Sequence, residues 1–114
     1  MRFVLIAAMM LASGGAMAQM QQIIPLDVST VTTGGTAVIA LNAGNRVGGG
    51  WIANPKGATV DLCINEIGAA SGTASSGNTT CISPGQSYTL AKSVLPVSVV
   101  SSDSAHAFSG EGFK

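Results

Sequence analysis

The sequence predicts an all-β protein: a small antiparallel β-sandwich of about six or seven short strands with one disulfide, following an N-terminal signal peptide. Three observations support this prediction. The first residues combine a basic residue with a short apolar run, the remainder is rich in Gly, Ser, Thr, Ala and Val, and the chain has 2 cysteines. Short β-favouring runs alternate with turn residues, and helix signals are almost absent after the first segment.

Residues 1–18 have the order of a secretory signal peptide. Arg2 precedes the apolar run at residues 3–12, and Ala16-Met17-Ala18 forms a small-residue cleavage site. The run is much shorter than the ~20 residues of a membrane-spanning helix, so an uncleaved anchor is the weaker alternative. We therefore expect a mature chain that begins at Gln19 and is extracytoplasmic, either periplasmic or secreted.

The size and charge of the mature chain restrict its organisation and partners. Removing 18 residues from 114 leaves 96, enough for one domain. We expect an arm at residues 19–27 and a single domain at 28–114. Without Arg2 there are 4 basic and 5 acidic residues, a formal charge of −1. This balance excludes the electrostatic footprint of nucleic-acid binding and the basic patch that anionic membranes attract. No later stretch predicts a membrane span.

The strands are predicted from β-favouring runs, and the turns from the Gly, Pro and Asn residues that separate these runs. Gly34-Gly35 predicts a tight hairpin between two strands, and Pro96 fits the start of another. Candidate strands are 28–33, 36–41, 50–53, 59–65, 86–91, 97–101 and a short last strand near 107–113.

Residues 68–80 predict a long, exposed and flexible loop. They comprise only Gly, Ala, Ser, Thr and a single Asn, so they offer no large side chain to bury against the cost of ordering. Asn78-Thr79-Thr80 matches the N-glycosylation pattern, which matters only in a host that glycosylates exported proteins.

Cys63 and Cys81 are predicted to form a structural disulfide, since an exported chain with an even cysteine count usually pairs them. A redox-active or metal-binding pair is the alternative, but C-x-x-C spacing and supporting histidines are missing. Alternation along the strand at 59–65 places Leu62 and Ile64, with Val60, on the core face. Cys63 then falls on the outer, more polar face with Asp61 and Asn65, where the disulfide would tether the base of the loop.

Trp51 and Tyr88 are the candidate binding residues. A lone Trp in a small domain usually anchors the core, but on an exposed strand it could serve as a platform for a sugar. Tyr88 has the same two interpretations. Phe108 and Phe113 most simply pack the last strand.

Asp103, Ser104 and His106 contain the residue types of a nucleophilic triad within four positions. Neighbours on one strand or turn rarely converge as a triad requires, so a polar turn is the preferred interpretation. No second histidine or free cysteine completes a metal site. We expect no catalytic residue, metal or cofactor.

The layout resembles small β-domain accessory or structural proteins encoded in tailed-phage and prophage regions. The resemblance covers most of residues 30–113 and rests on short motifs: Thr32-Thr33-Gly34-Gly35-Thr36-Ala37 with Asn42-Ala43, Trp51-Ile52-Ala53-Asn54-Pro55, Ser83-Pro84-Gly85-Gln86-Ser87-Tyr88, Val97-Ser98-Val99-Val100 and Phe108. It implies a non-enzymatic, multimeric virion-surface or attachment component. The export signal and the cysteine pair favour instead an envelope or secreted protein.

Together these features predict a non-catalytic exported module that contacts a protein or a surface through its loops. The alternatives are a carbohydrate-binding or attachment module, whose partner is a surface glycan, and a small secreted enzyme. Unprotected edges of short strands can pair with a neighbour, so self-association into a homo-oligomer is also expected.

Overall fold

The computed structural model describes residues 21–72 and 78–114 and shows an all-β protein. The described residues contain no helix, and their strand pairs are antiparallel. The Sγ atoms of Cys63 and Cys81 are bonded. The predicted class, strand orientation and disulfide are thus confirmed, whereas the predicted signal peptide lies outside the described residues.

Ten strands form within the described residues. They are β1 (Ile23–Pro25), β2 (Thr30–Val31), β3 (Val38–Leu41), β4 (Gly50–Ala53), β5 (Leu62–Asn65), β6 (Thr79–Ile82), β7 (Ser87–Leu90), β8 (Val97–Val100), β9 (His106–Ala107) and β10 (Ser109–Phe113).

The strands assemble into two four-stranded sheets and one two-stranded ribbon. The sheet that contains Trp51, called the Trp sheet, has the order β1-β10-β4-β7. The sheet that contains the disulfide, called the Cys sheet, has the order β3-β8-β5-β6. Strands β2 and β9 pair with each other. Only β5 and β6 are both consecutive in the chain and adjacent in a sheet, so most of the pairing joins distant segments.

The hydrophobic core lies between the two large sheets. Ile52 and Leu90 from the Trp sheet pack in one cluster with Leu62, Ile64 and Val99 from the Cys sheet. Full burial of such a side chain stabilises the fold by about 1.5–3 kcal/mol. The two sheets are therefore held face to face by side chains at alternate strand positions.

The hairpin predicted at Gly34-Gly35 is wrong. A turn is present, with the Thr36 amide donating to the Thr33 carbonyl, but β2 pairs with β9 and β3 pairs with β8. The Gly35 amide donates to the Ser101 carbonyl at 2.8 Å, and a Cβ at Gly34 would collide with the Ser102 carbonyl. The turn packs against the end of β8, and the two glycines allow these distant segments to approach each other closely.

Two strands formed where none was predicted. Strand β1, within the segment expected to be an arm, pairs with β10 so that Ile24 lies opposite Gly112. Its Pro25 is tolerated because β1 is an edge strand. Strand β6 includes Thr79 and Thr80, the last residues of the predicted loop. The loop's residues 73–77 lie outside the described residues.

Several predicted strands also have different bounds in the structure. The strand expected at 28–33 is only β2, and the one expected near 107–113 is interrupted at Phe108. Residues 50–53 form β4 as predicted. The strands expected at 36–41, 59–65, 86–91 and 97–101 form over shorter spans, as β3, β5, β7 and β8.

The alternation predicted for β5 is confirmed, but the outer face of the Cys sheet is covered. Leu62 and Ile64 belong to the core cluster, and Cys63 does not, whereas Val60, also expected on the core face, precedes β5 and is not part of the cluster. Cys63 lies on the outer face as predicted, but it is only 4% exposed, so this face is covered rather than open to solvent. The Ala70 amide donates to Ser98 Oγ at 3.0 Å, and Asn65 Nδ2 donates to Thr79 Oγ1 at 3.1 Å. Short polar side chains on this face thus bind the beginning of the loop.

Candidate functional site: the outer face of the Trp sheet

Trp51 lies on the outer face of the Trp sheet, in the inner strand β4. Its neighbour Ile52 is fully buried and points into the core, so alternation turns Trp51 outward. The indole is partly exposed and is outside the core cluster. The preferred expectation that Trp51 anchors the core is therefore wrong, because the inward positions of β4 are occupied by Gly50 and Ile52.

A hydrogen bond to Glu111 holds the Trp51 ring. The two residues are direct cross-strand partners on β4 and β10, and Trp51 Nε1 donates to Glu111 Oε1 at 3.0 Å. A bond to an ionised carboxylate is stronger than one between neutral groups. The indole is therefore oriented before any ligand arrives.

Register places four side chains in one row across the outer face. Thr89 pairs with Trp51, Trp51 with Glu111, and Glu111 with Pro25. Since neighbouring strands are about 4.8 Å apart, this row is roughly 14 Å long. We call it the Trp51 row.

The residues beside the Trp51 row are uncharged. Exposed Ser87 and Ser109 lie on either side of Ala53 along one flank of the row. Phe113 and Ile23, which is 60% exposed, form an apolar pair on the other flank. Glu111 is the one charged residue in the four strands of the sheet. The face is therefore amphipathic, with very little charge.

Tyr88, the second candidate, lies on the opposite face of the same sheet. It pairs with Ile52 and packs against the core, and its hydroxyl donates to Glu66 Oε2 at 2.7 Å. Burial raises the pKa of Tyr88, and the hydrogen bond to Glu66 and its negative charge add to the rise. The structure thus separates the two predicted binding residues, and only Trp51 faces outward.

A buried arginine at one end of the core was missed from the sequence. Arg46 is 1% exposed, and its guanidinium donates to Glu66 Oε1 at 2.8 Å. It also donates to the carbonyls of Ala91, Leu95 and Glu66. It therefore joins the loop before β4 to the segments that follow β5 and β7. Arginines are rarely buried, so nothing in the local sequence indicated this role.

Asp103, Ser104 and His106 line one open depression of about 290 Å³. Each is engaged elsewhere: Asp103 Oδ2 accepts from the Thr59 hydroxyl, and Ser104 Oγ accepts from the Gly34 amide. His106 Nε2 lies 2.8 Å from Asn54 Oδ1. Among the described residues, no hydrogen bond joins two members of this trio. Their contacts tie the turn before β9 to its neighbours, as a polar turn would.

The described residues offer neither a cluster of metal ligands nor a membrane-spanning helix. No three His, Cys, Asp or Glu residues there gather into a group that could hold a metal ion. Nor is any helix there long and apolar enough to cross a membrane.

Comparisons with protein-family models, curated proteins and solved structures gave no match for this chain. The resemblance to tailed-phage accessory proteins therefore stays a prediction, and the candidate site is defined by its geometry alone.

Proposed function

We propose that this chain is an exported, non-catalytic interaction module that binds a protein or a surface through the outer face of the Trp sheet. The observation that carries the proposal is the position of Trp51. The single tryptophan of the chain stands partly exposed on an inner strand and is held by Glu111. Tryptophan is among the residues that contribute most to binding when they lie near the centre of an interface.

The proposed location rests on two features. Residues 1–18 have the order of a cleaved signal peptide. The Cys63–Cys81 disulfide is consistent with an oxidising, extracytoplasmic compartment. Two sheets that share one core support a β-sandwich as the scaffold. An origin from a phage or prophage accessory protein belongs to the same proposal.

The sheet face replaces the loops as the proposed contact surface. Arg46 ties its own loop before β4 to the loop between β7 and β8, since it donates to the carbonyls of Ala91 and Leu95. Exposed apolar residues such as Val94, which is 65% exposed, remain on these loops and provide a comparison.

A binding assay on isolated cell envelopes tests the proposal. The oxidised mature chain is incubated with envelopes of the producing cell, and the bound fraction is measured after sedimentation. Trp51→Ala should weaken binding at least about tenfold, as expected of a central aromatic contact. Val94→Ala, a truncation of an exposed side chain on a loop, should bind as the unaltered chain does. Loss of binding in Val94→Ala but not in Trp51→Ala would show that the loops make the contact.

A further inference from the structure

We infer that the ligand of the Trp51 row is a neutral, extended, β-1,4-linked glycan. This inference rests on the proposed function, because it takes the outer face of the Trp sheet as the binding surface. It goes further by assigning the chemical class of the ligand.

The charge of the face argues for an uncharged ligand. Glu111 is the one charged residue in the four strands, and its Oε1 already accepts the Trp51 indole N–H. The four strands supply a single carboxylate and no cation, so they do not complement a polyanion such as nucleic acid or an anionic lipid surface. They also lack the multiple carboxylates that would attract a basic peptide.

The polar groups along the row are those that recognise hydroxyls. The other Glu111 oxygen, Oε2, accepts no hydrogen bond from any described residue, and the Thr89 hydroxyl makes none with them. A carboxylate oxygen accepts from a sugar hydroxyl, and a threonine hydroxyl can both donate and accept. These two groups lie on either side of the indole in the register of the sheet.

The indole supplies the apolar part of the contact. The face of an aromatic ring carries partial negative charge, which attracts the weakly positive C–H groups on the face of a pyranose ring. The hydrogen bond to Glu111 fixes the indole, so less conformational freedom is lost when a sugar stacks on it. The apolar pair of Ile23 and Phe113 extends the surface along one flank.

The shape of the row favours an extended chain. It crosses four adjacent strands in a line of roughly 14 Å, comparable with a short oligosaccharide. A β-1,4-linked glycan of the cellulose or chitin type is an extended ribbon that can present its ring faces to a surface. An α-1,4-linked glucan coils and would leave such a row after few contacts.

Titration of the mature chain with soluble oligosaccharides tests the inference. Cellohexaose and chitohexaose are the β-linked probes, and maltohexaose is the α-linked control of the same length. Trp51 is the only tryptophan, so its fluorescence reports contact at the row directly. We expect a saturable change with at least one β-linked probe, at least about tenfold weaker binding of maltohexaose, and little dependence on salt because the ligand is neutral.

Variants measured by calorimetry establish that binding takes place at the row. Trp51→Ala should lower the affinity at least about tenfold, and Trp51→Phe, which keeps an aromatic face, should retain part of it. Val94→Ala should bind like the unaltered chain. Thermal unfolding of each variant separates loss of binding from loss of fold.

The outcomes also separate this inference from the proposed function. If neither β-linked probe binds, or if binding collapses with added salt, the glycan inference is overturned. If in addition Trp51→Ala abolishes envelope binding and protease treatment of the envelopes does the same, the face is confirmed as the contact surface and its partner is a protein. If Trp51→Ala leaves envelope binding unchanged, the proposed function fails as well.

Discussion

At the scale of single residues, two glutamates hold the side chains of Arg46, Tyr88 and Trp51 in place. Glu66 accepts from Arg46, from the Tyr88 hydroxyl and from the Ala91 amide, and Glu111 accepts from Trp51. No buried polar side-chain atom of the described residues lacks a partner. Among the described residues, Arg46 and Glu66 form the one ion pair, in a chain with only 9% charged residues.

The raised pKa of Tyr88 leads us to expect a loss of stability in alkaline solution. Its pKa in the folded chain is raised above the ordinary value of 10.0, so the folded state holds the phenolic proton more tightly than the unfolded state does. The stabilisation is complete below pH 10.0 and is lost as the pH rises through the folded pKa. In urea unfolding, the excess in unfolding free energy of the unaltered chain over Tyr88→Phe should therefore shrink as the pH rises above 10.0. Tyr88 is the only tyrosine, so tyrosinate absorption measures its ionisation directly. An advantage that does not change with pH would contradict this prediction.

The backbone conformation of Ala105 leads us to expect that its replacement by glycine stabilises the fold. Its φ of 53° lies in the left-handed region, where a residue with a Cβ is strained by about 1–2 kcal/mol. Ala105→Gly removes this strain but adds freedom to the unfolded chain, so we expect a gain of up to about 1 kcal/mol in urea unfolding. Ala107→Gly is the matched control: Ala107 is an exposed alanine in β9, and its replacement should destabilise by roughly 0.5–1 kcal/mol. Equal losses at both positions would show that Ala105 is not strained.

At the scale of elements, the disulfide holds an edge strand. Among the described strands β6 pairs only with β5, and Cys81 lies directly opposite Cys63 in that pair. On the other side of β5, Cys63 is opposite Val100 of β8. The disulfide therefore joins an edge strand to one that is hydrogen-bonded on both sides.

Reduction of the disulfide should destabilise the fold and release β6 first. The sequence separation of 18 gives a loss on the order of 3 kcal/mol in the chain-entropy account. Urea unfolding with and without reductant measures this loss, and a Cys63→Ser/Cys81→Ser variant should show no effect of reductant. Hydrogen exchange should accelerate at the β6 amides more than at those of β4 or β8. Uniform acceleration over all strands would contradict the local role of the disulfide.

At the scale of the whole molecule, stability depends on contacts between distant segments. Strand β10 follows β9 in the chain but pairs with β1 and β4, and β8 pairs with β3 and β5. Arg46 closes one end of the core by joining segments that are 20 to 49 residues away along the chain. We therefore expect one cooperative unfolding transition in the oxidised protein.

Arg46→Met should weaken the entire fold. Glu66 would lose its buried cationic partner, and breaking such a pair by removing one member costs about 3–5 kcal/mol. The double variant Arg46→Met/Glu66→Gln, which also removes the carboxylate charge, should recover part of this loss. Urea unfolding of the single and double variants measures both effects. A loss below about 1 kcal/mol in Arg46→Met would mean that the pair behaves like an exposed one.

Local patterns in the chain were sufficient for the all-β class, the disulfide, strand β4 and the faces of β5. These properties depend on neighbours within a few residues, as in the alternation of Leu62, Cys63 and Ile64, or on a residue count, as for the cysteine pair. The candidate site was predictable only to the extent that Trp51 is the sole tryptophan. The outward orientation of the Trp51 side chain depends on Ile52, which fills the core, and on Glu111 of β10, which accepts its hydrogen bond. Likewise, the partner of β2, the formation of β1 and the burial of Arg46 required the folded chain, because each is stabilised by groups far away in sequence whose meeting no local preference encodes.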